Sequence, residues 1–203
     1  MAFLTDEQIE RRAKEARRVF KIDGQVVPDV ITLIFKLKDL GLIDNYERVP
    51  DSQMGTDEAT YDPYTRRLII RESVFVAANA NLPRARFTIA HEIGHIVLGH
   101  NRIRHRRTDY REGQAASTIR GDERQANIFA AALLAPYHLS EATEATSAED
   151  IANRFQISLS AAQIRLPELQ RQYRIANGIR RELPDSVREY LEANKNAGRT
   201  RRT

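Results

Sequence analysis

A chain of 203 residues with 41% hydrophobic side chains has the length and apolar content for one good-sized domain, or a domain with an appendage, and not for wholesale disorder. It contains no cysteine, which excludes disulfides and thiolate zinc sites, so any metal must be held by His, Asp or Glu. The net charge of +4, from 32 basic and 28 acidic residues, gives no case by itself for a nucleic-acid function.

The start, Met1-Ala2-Phe3-Leu4, turns charged at once, and apolar runs such as Ile128 to Pro136 fall short of a membrane span. With the absence of cysteine, this leads us to expect a cytoplasmic location. Thr5-Asp6-Glu7-Gln8 is a capping-box sequence that opens a charged helix through about Phe20. Asp29 begins a second helix with Val30, Leu33, Ile34 and Leu37 on one face, and Gly41 is placed to end it. Thr56 to Tyr61 and Arg66 to Ile70, joined by Asp62-Pro63-Tyr64-Thr65, read as a short antiparallel hairpin.

Asn81 to Gly99 carries the strongest helical signal, with Asn81 as cap, Pro83 in the first turn and Gly99 at the end. Asn101 to Arg120 is polar and basic and reads as a long loop. Its Arg102 to Arg107 cluster suits phosphate or an acidic partner, or equally a solvated surface. A helix is expected from Asp122 to Leu134, stopped by Pro136. Ser147 caps a helix over Ile151 to Phe155, and after a break at Gln156-Ile157-Ser158 another runs to about Leu166. A last helix is expected over Asp185 to Ala193, before a basic tail containing Arg199, Arg201 and Arg202.

The chemistry concentrates at His91-Glu92-x-x-His95. Residues four apart on a helix are about 40° from eclipsed, so the two imidazoles project to one side and can share a zinc ion. Glu92, turned by about 100°, is kept out of the ligand shell but can act as general base toward a metal-activated water. Gly94 leaves room for another backbone to approach. The pattern alone is too common to identify a peptidase, because two helix histidines can simply bond nearby backbone.

A catalytic zinc takes a third protein ligand. The long pattern H-E-x-x-H-x-x-G-x-x-H fails here, since its glycine and third histidine positions hold Leu98 and Asn101. His100 falls about 180° around the helix from His91 and reaches the metal only if the chain turns back at Gly99. Glu123, at the start of the helix bearing Ala126, Phe129, Ala130 and Leu133, is the better candidate, though spacing alone also suits a helix-start charge. His105 and His138 have no spacing argument, and His100, Tyr110 and Arg124 are all conceivable transition-state stabilisers.

The stretches Arg86-Phe87-Thr88-Ile89-Ala90-His91-Glu92-Ile93-Gly94-His95 and Glu123-Arg124-Gln125-Ala126-Asn127-Ile128-Phe129-Ala130, continuing through Leu133-Leu134-Ala135-Pro136, resemble the ImmA/IrrE family of metallo-endopeptidases. The usual Leu-Leu-Met-Pro is altered to Leu-Leu-Ala-Pro, a change away from the metal. The resemblance covers most of residues 25 to 170. It implies His91, His95 and Glu123 as ligands of one zinc ion and Glu92 as catalytic base, although such a ligand set also accepts other divalent ions. It implies a substrate as well: a helix-turn-helix (Xre-type) repressor of a mobile element or stress regulon, whose cleavage relieves repression. A non-catalytic zincin-like regulator that inactivates a repressor by binding is the alternative.

The expected fold is α+β and zincin-like, mostly helical, with a small antiparallel sheet beside the motif helix and a C-terminal helix-turn-helix-like module. The expected division is an N-terminal helix (1–24), the peptidase domain (25–140), the C-terminal module (145–193) and a disordered basic tail (194–203). One hairpin strand is expected to line the cleft or, equally, to serve only the core. The second helix of the C-terminal module would present Ser158, Ser160, Gln163 and Arg165. So few cations argue for repressor docking or domain completion over DNA binding.

Overall fold

The computed structural model describes residues 4–100 and 114–179 together with the single positions 187 and 190, and leaves out the side chains of 114–118. The expected last helix, the basic tail and the Arg102 to Arg107 cluster lie outside the described residues, apart from those two positions. The described part is mostly helical with one small sheet, an α+β arrangement.

Helix α1 (Asp6–Val19) starts at the anticipated capping box: Gln8 N–H donates to Thr5 Oγ1, and Gln8 Oε1 accepts from the Thr5 amide. Ile9, Ala13, Ala16 and Phe20 fall at helical spacing and are buried. Helix α2 (Val30–Asp39) is capped by Asp29, which accepts from Ile31 N–H at 2.9 Å.

Three strands follow: β1 (Asn45–Val49), β2 (Ala59–Asp62) and β3 (Arg67–Arg71). β2 and β3 form the expected hairpin, with Asp62 Oδ1 accepting from Tyr64 N–H in the turn; β2 begins at Ala59, three residues later than the sequence suggests. The sheet is mixed, however, not antiparallel: its order is β1-β3-β2, and β1 lies parallel to β3. β1 escapes a sequence reading because Asn45-Tyr46-Glu47-Arg48-Val49 is polar. An ion pair of Glu47 with Arg67 across to β3, and one of Arg48 with Glu72 just beyond the end of β3, accompany its pairing.

Helix α3 (Glu72–Asn79) is likewise unsignalled in the sequence, since it leaves β3 directly and has no side-chain cap. Helix α4 (Pro83–Leu98) has Leu82 at its N-cap position, with no side-chain cap, and Asn81 instead takes a left-handed conformation (φ 58°) closing the turn after α3. Gly99 ends α4 at φ 73°. Helix α5 (Gln114–Leu134) begins eight residues before the expected Asp122, so residues 114–120 are helix rather than loop. Their Gln, Ala and Arg content sustains a helix despite its polarity, and Gly121 interrupts the propensity without ending it.

Helix α6 (Ala148–Phe155) opens on a Ser147–Asp150 capping box. Helix α7 (Leu159–Ala176) continues ten residues past Leu166, straight through Pro167. Buried Leu169 and the Arg171–Glu168 pair hold the helix beyond the proline, which removes one backbone donor. No described helix is long and apolar enough to cross a membrane.

A single apolar cluster joins these elements, running from Ile9 and Phe20 through Leu33, Leu68, Ile89 and Phe129 to Phe155 and Leu169. Three buried arginines stitch its periphery. Arg17 donates to the carbonyls of Ile22, Gln25 and Leu133, tying the end of α1 to the end of α5. Arg86 of α4 donates to Phe155 and Gln156 at the C-terminus of α6. Arg165 of α7 donates to Ala135 and pairs with Glu10 of α1. Arg165 is therefore buried, and the helix face weighed for DNA contact does not display it.

Candidate metal centre

Helix α4 packs chiefly against α5, and Gly94 fixes how closely. A Cβ at Gly94 would lie 3.1 Å from the Ala126 carbonyl oxygen and 3.2 Å from Phe129 Cδ1. The crossing therefore takes place at a residue with no side chain. One turn before Ala126 on α5, Glu123 comes opposite His91 and His95.

The donor atoms of these three residues lie within 4.8 Å of one another. His91 Nε2 is 3.0 Å from His95 Nε2, while Glu123 places Oε2 3.2 Å from His91 Nε2 and Oε1 3.5 Å from His95 Nε2. Tetrahedral ligands at zinc–donor distances of about 2.1 Å are about 3.4 Å apart, so the cluster has the span and chemistry for such an ion.

The remaining ring nitrogens are also engaged. His91 Nδ1 is 2.9 Å from Asn127 Oδ1, which can only accept, so Nδ1 carries the proton and Nε2 turns its lone pair inward. His95 Nδ1 is 2.9 Å from Nδ1 of buried His100. Burial pushes the His100 pKa down, against the opposing pull of Asp122 and a hydrogen bond with Gln125. A neutral His100 with its Nε2 proton toward Asp122, 3.9 Å away, accepts the His95 Nδ1 proton and likewise leaves His95 Nε2 as a donor of electrons.

Glu92 is 3% exposed, and its Oε2 accepts from Tyr61 N–H at 3.0 Å. Arg71 N–H donates to the Glu58 carbonyl, so by alternation along the antiparallel pair Ala59 and Tyr61 turn their backbone groups away from β3. The outer edge of β2 thus faces α4. Between them is a cleft of about 300 Å3 lined by Glu58, Ala59, His91, Glu92, Glu123 and Asn127. At its rim, burial raises the Glu58 pKa, but hydrogen bonds from Thr88 and Arg84 outweigh that and hold it below the usual range.

The family model described as Peptidase_M78, the IrrE N-terminal-like domain, matches residues 46–167, more than half of the chain. The chain belongs to the Peptidase_M78 family. The Peptidase_M78 match runs from β1 into α7, and α1 and α2 precede it. Among solved structures, a Mycobacterium tuberculosis transcriptional regulator is similar at 18% identity and a TM-score of 0.47 over 77% of this chain; the chain covers 46% of that one. No curated protein matches.

The structure brings His91, His95 and Glu123 into one donor cluster, and His91, Glu92 and Glu123 line one cleft. His100 does turn back at Gly99, but it meets the far nitrogen of His95 and not the donor cluster. His138 bonds the Asp23 carbonyl, and Arg124 is held in a two-pronged pair with Asp6. His105 and Tyr110 lie outside the described residues. Two partners have no place in the sequence reading. Asn127 could have been found from its i+4 spacing to Glu123; the Tyr61 amide, being backbone, gives no residue-type signal.

Proposed function

We propose that this Peptidase_M78 chain is a zinc-dependent endopeptidase with His91, His95 and Glu123 as ligands and Glu92 as general base, built on a zincin-like fold. The observation that carries the reading is the convergence of two inward-facing Nε2 atoms and a carboxylate beside a buried glutamate. Zinc held there would polarise the scissile carbonyl and make water a better nucleophile.

The chain's own residues supply the rest. Asn127 and His100 hold the two imidazoles in the ligating tautomer. The Tyr61 amide fixes one oxygen of Glu92, which takes the proton of the attacking water and passes it to the departing amine. With the Tyr61 amide held by Glu92, the outward backbone groups of Ala59 and the Tyr61 carbonyl suit a substrate added as a strand along β2. In keeping with the ImmA/IrrE resemblance, the substrate proposed is a helix-turn-helix transcriptional repressor, whose cleavage relieves repression, with α6 and α7 forming the helix-turn-helix-like module.

The test is co-expression with a repressor encoded nearby, comparing wild type with Glu92→Ala. Cleavage by wild type alone is expected. Equal cleavage by both would sink the mechanism, and an intact but inactivated repressor would favour action by binding.

A further inference from the structure

A second and larger cavity, of about 760 Å3, opens beside the metal cluster between α1, α5 and α7. Its apolar lining comes from Phe87, Ile128, Ala131, Ala161 and Ile164. Phe87, Glu123 and Asn127 line both this cavity and the cleft over His91, so the two spaces adjoin at these side chains. Ile164 stands at 79% exposure, a large apolar side chain left in water.

The charged groups around it are largely turned to one another. Asp6 is bound to Arg124, Glu10 to Arg165, and Glu168 to Arg171 and Gln172. Neutralised walls over an apolar floor select against charge and for hydrocarbon. The volume falls in the range that holds several side chains rather than one.

We propose that this cavity is a specificity subsite, taking a short apolar segment of the polypeptide substrate immediately next to the scissile bond. The proposal deepens the peptidase reading and rests on it for the word substrate. Apolar side chains of the bound chain pass Phe87 and fill the space between Ile128, Ala131 and Ile164, while the peptide backbone follows β2. Repressor segments with clustered Leu, Ile, Met or Phe would be preferred, and charged segments excluded.

Random-peptide display on zinc-loaded Glu92→Gln protein tests this, with Ala131→Phe and Ile164→Ser each added to that background. Enriched peptides should carry clustered apolar residues. They should bind about tenfold more weakly to the Ala131→Phe variant, whose new ring fills the cavity, and about threefold more weakly to Ile164→Ser, at unchanged zinc content and melting temperature. Ile164 is so exposed that its replacement keeps the test valid even if Ala131→Phe misfolds. No enrichment, enrichment without apolar residues, or binding to both variants as tight as to the parent would overturn the subsite. The selected peptides are then given to the active protein: peptides bound with the expected dependence but never cleaved would support the subsite and overturn the peptidase reading.

Discussion

Arg17 and Arg86, and His91 and His95, are polar side chains taken out of water within one core, and they meet opposite kinds of partner. The arginine guanidinium groups end on backbone carbonyls, donors on acceptors, and so hold α1 and α6 in place. Burial pushes the Arg17 pKa down to about 10, which still leaves it charged at neutral pH. The histidines instead turn lone pairs toward each other and toward a carboxylate, an arrangement of acceptors that a cation between them would stabilise. Arg86 and His91 sit five residues apart on α4, so one helix carries both an internal tether and part of the proposed receptor for an ion. The difference separates substitutions that should unfold the protein from those that should empty or silence it.

The sharpest separation comes from Glu92→Gln. It should keep its zinc and its melting temperature while losing about two to four orders of magnitude in repressor cleavage, measured as single-turnover rate. His100→Leu tests the support behind His95. Zinc affinity, read by competition with a chromophoric chelator, should weaken by about 10- to 100-fold, because the acceptor of the Nδ1 proton is removed. Arg86→Met should do the reverse: it strands the carbonyls of Phe155 and Gln156 and lowers stability by about 3 kcal/mol in urea unfolding, with zinc affinity of the folded protein unchanged. If Arg86→Met instead lost zinc without losing stability, the distinction between tether and receptor would fail.

Smaller effects lie where the two helices touch. Gly94→Ala gains helix propensity but forces a Cβ against Ala126 and Phe129, for a net loss of about 1 kcal/mol and a few-fold weaker zinc binding. The smallest is acid sensitivity at Glu58. Its folded pKa lies below the unfolded one, so its contribution is complete above the ordinary glutamate range and is lost as pH falls through the folded value. Thr88→Val should flatten that part of the stability–pH curve, followed by urea midpoints between about pH 3 and pH 6.

The parts legible in sequence are those whose signal is local. The caps at Thr5, Asp29 and Ser147 and the stop at Gly99 each rest on a side chain or missing side chain within a few residues of its target. The pairing of His91 with His95 follows from helical pitch. What stays hidden depends on distant partners: polar β1 becomes a strand only beside β3, and α3 has no cap to announce it. The convergence of Glu123 is suggested by resemblance, whereas spacing leaves it open, because it depends on where α5 crosses Gly94. Arg165 has the sequence setting of a surface cation, yet Glu10, 155 positions away, claims it.

Metal content after purification without chelator decides whether His91, His95 and Glu123 together hold one metal ion. Wild type and Glu92→Gln should each carry about one zinc per chain, and Glu123→Ala should carry far less while remaining folded. Wild type without metal, or Glu123→Ala retaining a full complement, would mean that these three side chains do not form a metal site.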